Sequence, residues 1–166
     1  MIEILLLCII ISFVFILYDH KSPKLTYKTK KKINEIQVKI KKLVKYMKKL
    51  YPNHKEIHKL SNNIIIKEIP NKYKNKVGYT LNKTKIYICL TDEKGDIYKN
   101  DNELYYIMLH ELAHLITKSY HHTDEYMNNF KLIVRLAIKL HIYKYTNYNN
   151  TPKIYCNKLI DQIIDI

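Results

Sequence analysis

The chain has 166 residues, with 29 Lys and Arg against 15 Asp and Glu, a formal net charge of +14 and a pI near 9.5. That length, less any anchor, gives room for one domain with a real core. Cys8, Cys89 and Cys156 lie far apart with no C-x-x-C, so neither a disulfide framework nor a Cys zinc site is indicated, which fits a reducing compartment. Internal repeats, a Gly-rich phosphate loop and a Ser-His-Asp arrangement are absent as well. The basic balance points to nucleic acid or anionic lipid as partners. Equally, a chain crowded with Lys, Asn, Ile and Tyr and carrying one Arg, Arg135, can use Lys as its default surface residue.

Ile2 to Tyr18 is almost continuously apolar, broken only by Glu3 near its start. About 17 residues is the short end of a spanning helix. No basic n-region and no small-x-small cleavage site mark it as a signal peptide, so residues 1–20 read as a retained membrane anchor. No Lys or Arg precedes the span, while Lys21, Lys24, Lys28 and Lys30 to Lys32 follow it. The positive-inside rule then places a domain over 21–166 in the cytoplasm of a single-pass membrane protein.

Residues 28–50 carry Ile33, Ile36, Ile40, Leu43, Val44, Met47 and Leu50 at helical spacing, with Lys on the other face. This predicts a basic amphipathic helix that Tyr51-Pro52-Asn53 ends. Its apolar side packs on the domain, and its Lys side is either solvated or set against anionic lipid. From 61 to 83 the chain is irregular, with turn signals at Asn62-Asn63, Pro70-Asn71 and Gly78 around Ile64-Ile65-Ile66. Tyr79 to Leu81 and Thr84 to Thr91 read as strands, and an exposed strand edge here would suit an extended peptide.

Asn102 to Thr117 reads as a helix, capped by Asp101 or Asn102 and apolar or aromatic all the way round from 104 to 116 apart from His110, Glu111 and His114. At about 100° per residue these three share roughly a third of the circumference. Titratable groups on a buried helix are costly unless something satisfies them, and a divalent metal does. His110 and His114 stand one turn apart and can reach one ion, with Glu111 beside its open position. H-E-x-x-H on a helix is the zinc-metalloprotease signature, with the Glu as general base.

After Thr117 come His121 and His122, then a helix that Thr123 caps and that buries Met127, Phe130, Ile133, Val134, Ala137 and Ile138, ending near His141. A catalytic zinc needs a third protein ligand. A chain turning back after the metal helix could bring His121 or His122 to the ion while the other serves the turn, since His tolerates a left-handed backbone better than most. Glu125 is the next candidate.

His110-Glu-Leu-Ala-His114, a third His a short turn later, Thr123, an acidic residue, Phe130 and a helix together resemble the WLM and SprT-like zinc metallopeptidases. The likeness is closest to small membrane-anchored members from large DNA viruses, whose turn is similar to Gly-His-Thr-x-Glu-Phe and is followed by a Tyr-Cys-Gly element. It covers about 28–160 and is strongest over 104–138. The resemblance implies that His122 is the third ligand, that His121 fills a glycine slot, and that Tyr155-Cys156-Asn157 stands for Tyr-Cys-Gly. It also implies an α+β fold: a membrane helix, a basic helix, a small sheet and two zincin-type helices. The function implied is zinc-dependent hydrolysis of a protein or peptide substrate at a membrane surface, with His110, His114 and His122 holding zinc and Glu111 as base. Two rivals stand beside it: a catalytically inactive, zinc-stabilised binding or virion structural protein, and a SprT-like protease acting on nucleic-acid-associated proteins.

Overall fold

The computed structural model describes residues 26–61, 64–70, 73, 75–92 and 94–161. Helix α1, Tyr27–Leu50, begins where the Thr26 hydroxyl accepts the Thr29 amide at 3.2 Å and stops just before Pro52, which cannot continue it. Ile36, Ile40, Leu43, Val44 and Met47 recur at helical spacing and are almost wholly buried, each contributing about 1.5–3 kcal/mol by leaving water. A short helix α2, Lys55–Lys59, follows, with His54 Nδ1 capping the Ile57 amide at 3.3 Å.

Three strands form a mixed sheet in the order β1-β3-β2: β1 (Ile65–Glu68), β2 (Gly78–Leu81) and β3 (Lys85–Ile88). β1 runs parallel to β3, with Ile66 opposite Ile86, and β2 runs antiparallel to it, with Tyr79 opposite Tyr87. Asn82 and Lys83 make the β2–β3 turn at positive φ, where a right-twisted hairpin needs it. β1 and β2 are the sheet's two edges.

Helix α3, Asp101–Ile116, lies at the centre, packed against the sheet, helix α4 (Asp124–Lys139), α2 and the C-terminal hairpin. Neighbours on all sides explain why it is apolar all round. Its start differs from the sequence expectation. Asn100 takes the N-cap position without a side-chain cap, Asp101 pairs with Lys32, and Asn102 instead binds the Lys144 backbone at both ends of its amide. α4 begins at Thr123, whose hydroxyl accepts the Tyr126 amide. It ends in a Schellman turn: His141 is left-handed, its amide reaches the Ile138 carbonyl, and the Ile142 amide reaches that of Ala137.

Strands β4 (Lys153–Tyr155) and β5 (Lys158–Ile160) close the described chain as a hairpin that the sequence reading did not anticipate. Its two-residue turn, Cys156-Asn157, has both φ values positive, so the Tyr-Cys-Asn element is a tight hairpin corner. Cys156 is disulfide-bonded to Cys89, just after β3, and the Tyr155 hydroxyl donates to the Cys89 carbonyl at 2.7 Å. This corrects the expectation that no disulfide is present, and with it the argument for a reducing compartment. The partners are 67 residues apart, and only the fold brings hairpin and sheet together.

The membrane placement also needs correction. Among the described residues no helix is long and apolar enough to cross a membrane, so a single-pass membrane protein is not supported. The longest helix, α1, has ten Lys among its 24 residues, and the apolar α3 has only 16 and carries the titratable motif. The segment 1–20, on which that expectation rested, lies outside the described residues.

Candidate functional site

The 3.6-residue repeat of α3 sets His110 and His114 one turn apart on the side that faces a surface turn. That turn is anchored at both ends. Buried Thr117 donates to the Ala113 carbonyl at 2.8 Å and accepts from Asn129 Nδ2 at 3.0 Å, tying the end of α3 to α4. The Ser119 and Thr123 hydroxyls meet at 3.0 Å, and the Lys118 amide donates to Glu125. The chain so folded returns His122 to the helix. Nitrogen atoms of His110, His114 and His122 all lie within 4.8 Å of one another, and the Nε2 atoms of His114 and His122 are 3.2 Å apart.

Tyr126, in the first turn of α4, forms the floor. Its ring centroid lies 4.5 Å from those of His114 and His122 and 5.3 Å from that of His110, and its hydroxyl donates to the His110 carbonyl at 3.4 Å. Burial, helped by the neighbouring imidazoles, lowers His110 to a pKa of about 3 and His114 to about 4. Both are therefore neutral at pH 7, with ring nitrogens free to donate lone pairs.

Zinc suits this donor set. Nitrogen ligands about 2.0–2.1 Å from a tetrahedral ion stand about 3.3 Å apart, close to the His114–His122 spacing of 3.2 Å. Three imidazoles whose nitrogens lie within 4.8 Å of one another, over an aromatic floor and beside an open cleft, can offer an ion three ligands and leave a fourth direction for a small ligand or substrate.

Glu111 lies on the same helix, 5 % exposed, with Oε2 accepting the Thr80 hydroxyl at 2.9 Å. Burial raises its carboxyl to about 7, opposed by the Thr80 bond and by Lys76. The sheet reaches it through Gly78. A β-carbon there would stand 2.9 Å from Ile107 Cγ2 and 3.0 Å from Glu111 Oε1, so only glycine lets β2 lie this close to α3.

Two hollows flank Glu111 and share Gly78, His110 and Glu111 as their common wall. One, of about 290 Å³, extends past His114 to Lys83, Ser119 and Tyr120. The other, of about 250 Å³, extends towards Tyr106, Ile107 and the C-terminal hairpin at Leu159 and Ile160, with Asp161 beyond.

His110, Glu111, His114 and His122 are thus brought together. His121 is not among them: its carbonyl accepts from the Thr123 amide at 2.9 Å and from Ser119, and its φ is not positive, so it does not play a left-handed glycine's part. Glu125 is occupied by the Lys118 amide. Thr80, Gly78, Lys83 and Tyr126 were not foreseen as site residues. Only Tyr126 carried a signal, lying one helical turn before Phe130.

Three curated relatives match part of the chain. Uncharacterized protein R325 of Acanthamoeba polyphaga mimivirus is 34% identical over 86 residues, 51% of this chain and 44% of that protein. Uncharacterized protein 136R of Invertebrate iridescent virus 6 is 35% identical over 71 residues, 42% of this chain and 40% of its own length. Uncharacterized protein 042R of Invertebrate iridescent virus 3 is 36% identical over 61 residues, 37% and 38% of the two chains. The chain therefore spans less than half the length of these relatives, all proteins of large DNA viruses. No protein-family model and no solved structure matches it.

Proposed function

We propose that this chain is a zinc-dependent peptidase of zincin type, in which His110, His114 and His122 hold the metal and Glu111 is the general base. The observation that carries the reading is the convergence of three imidazoles within 4.8 Å beside a buried carboxyl at the floor of a cleft. Zinc, when bound, supplies Lewis acidity towards a water nucleophile and a carbonyl oxygen. Glu111 accepts the proton as the water oxygen bonds to the carbonyl carbon, and returns it to the amine nitrogen as the C–N bond breaks. Thr80 holds the carboxylate by its hydroxyl, and Gly78 gives it room. Tyr126 packs against all three imidazoles and holds them in one arrangement, so little reorganisation is needed when the ion binds. The position of β2 at one edge of the sheet, beside Glu111, supports an extended chain as the ligand.

The test is metal analysis of the purified chain with a peptidase assay on wild type and Glu111→Gln. One zinc per chain in both, with hydrolysis in the wild type alone, is expected. Stoichiometric zinc without hydrolysis of any peptide would replace the catalytic reading with a zinc-stabilised fold.

A further inference from the structure

The two hollows beside Glu111 differ in chemistry. Past His114, Lys83 is the one cation among the described residues that line the first hollow. Its Nζ donates to the carbonyls of Thr117 and Lys118 and lies 5.0 Å above the Tyr120 ring. Two N–H groups are used in that staple, and a third remains for a ligand. Tyr120 is 77 % exposed, so ring and ammonium together form an open, positively charged shelf.

The second hollow is walled by Ile107, Tyr106, Ile160 and Leu159. Leu159 is 59 % exposed and faces Ile154, itself 68 % exposed, across the hairpin. Apolar surface left open to water at this point gains from covering by an apolar side chain. The exposed Asp161 at its end repels a carboxylate.

Ile107 and His114 are seven residues apart on α3, about 10 Å, which is the reach of about three residues of extended chain. One strand lying along β2 can therefore place a side chain in each hollow, with a peptide bond over Glu111. We infer that the trough reads an acidic side chain on the Lys83–Tyr120 side of the bond and an apolar side chain on the Ile107–Leu159–Ile160 side. Asp161 and Lys83 oppose the reversed chain, so the two ends also fix its direction. This rests on the cleft being where a peptide is taken.

The experiment uses matched peptides with Glu, Gln or Lys at each position flanking an apolar residue. Wild type is assayed for kcat/KM, and the Glu111→Gln variant for Kd by fluorescence anisotropy, which needs no turnover. A charge-assisted contact to Lys83 should favour Glu over Gln by about tenfold on one side only. Lys83→Gln keeps N–H donors for the two carbonyls but loses the charge, and should bring that ratio close to one. Lys83→Arg should keep it. Each ratio is taken within one variant, so partial unfolding cancels. Equal binding of Glu, Gln and Lys peptides by the Glu111→Gln protein would overturn the inference, as would a Glu preference that survives in Lys83→Gln. If the Kd ratio appears but no peptide is cut, peptide reading by the trough stands and the hydrolytic reading falls.

Discussion

Gly78 and Glu111 lie so close that a β-carbon on the glycine would stand 3.0 Å from the carboxylate's Oε1 and 3.1 Å from its Cγ. The edge strand thus holds the carboxylate against the helix that bears it. Gly78→Ala should push Glu111 aside. It is expected to destabilise by about 1–3 kcal/mol and, since a displacement near 1 Å can cost about 10²-fold, to abolish most hydrolysis. Zinc should still bind at full stoichiometry. Zinc analysis and kcat/KM on one preparation check this, and unchanged kcat/KM would separate Glu111 from the reaction.

His122→Ala and His121→Ala form a second pair. The first leaves two imidazoles and should lose both zinc affinity and hydrolysis, while the second, whose backbone alone serves the turn, should change neither much. Isothermal titration with zinc reads the difference. Full zinc binding in His122→Ala with loss in His121→Ala would reverse the assignment.

Acidity gives a third. In the metal-free protein the Glu111 carboxyl titrates near 7, above the usual unfolded value of 4.5. The native state therefore holds a proton that the unfolded state releases, so this group's contribution is full below pH 4.5 and is lost as pH rises through 7. His110 and His114, lowered by burial to about 3 and 4, act in the opposite sense, their contribution falling away as pH drops below 6.5. Metal-free Glu111→Gln keeps the histidine effect and lacks the carboxyl effect. Its melting temperature relative to wild type should rise between pH 5 and 8, and a pH-independent difference would refute the burial argument.

The Cys89–Cys156 bond closes a 67-residue separation, and chain-entropy reasoning gives it about 4 kcal/mol. Cys156→Ser, or reduction, should lower the melting temperature by several degrees or more. Because the hairpin supplies Leu159 and Ile160, it should also weaken apolar-side selection more than zinc binding. Thermal melts with and without reductant, followed by peptide Kd values, test both.

Much of the site is local and so was legible. His110, Glu111 and His114 are ordered by helical geometry alone, and Thr123 caps α4 because the residues after it already repeat with helical period. What distant segments contribute was not. Gly78 looked like a turn signal because nothing in a strand of four residues says which helix it will touch. Lys83 was lost among many lysines, since its role depends on the carbonyls of 117 and 118 lying within reach. The disulfide joins a strand end to a corner of a hairpin whose short strands carry little periodicity. Resemblance pointed to His122 over His121, and the geometry brings His122 to the other two imidazoles; the glycine-like backbone expected of His121 is not found there, whereas Asn157, read as standing for the glycine of Tyr-Cys-Gly, does have a positive φ.

Lys83 sits at φ 50 in a left-handed conformation that a long side chain enters at a cost of about 1 kcal/mol or more. Its ammonium, bound to the carbonyls at the end of α3, keeps the turn clamped in that unfavourable shape. The hairpin tip therefore works like a sprung catch. Glycine at 83 would remove the spring and the catch together, leaving a looser 81–84 tip with faster amide exchange and no charge on the shelf. At this position the most relaxed backbone and the most discriminating cleft call for different residues, and selection for thermostability alone would be expected to erode selectivity first here.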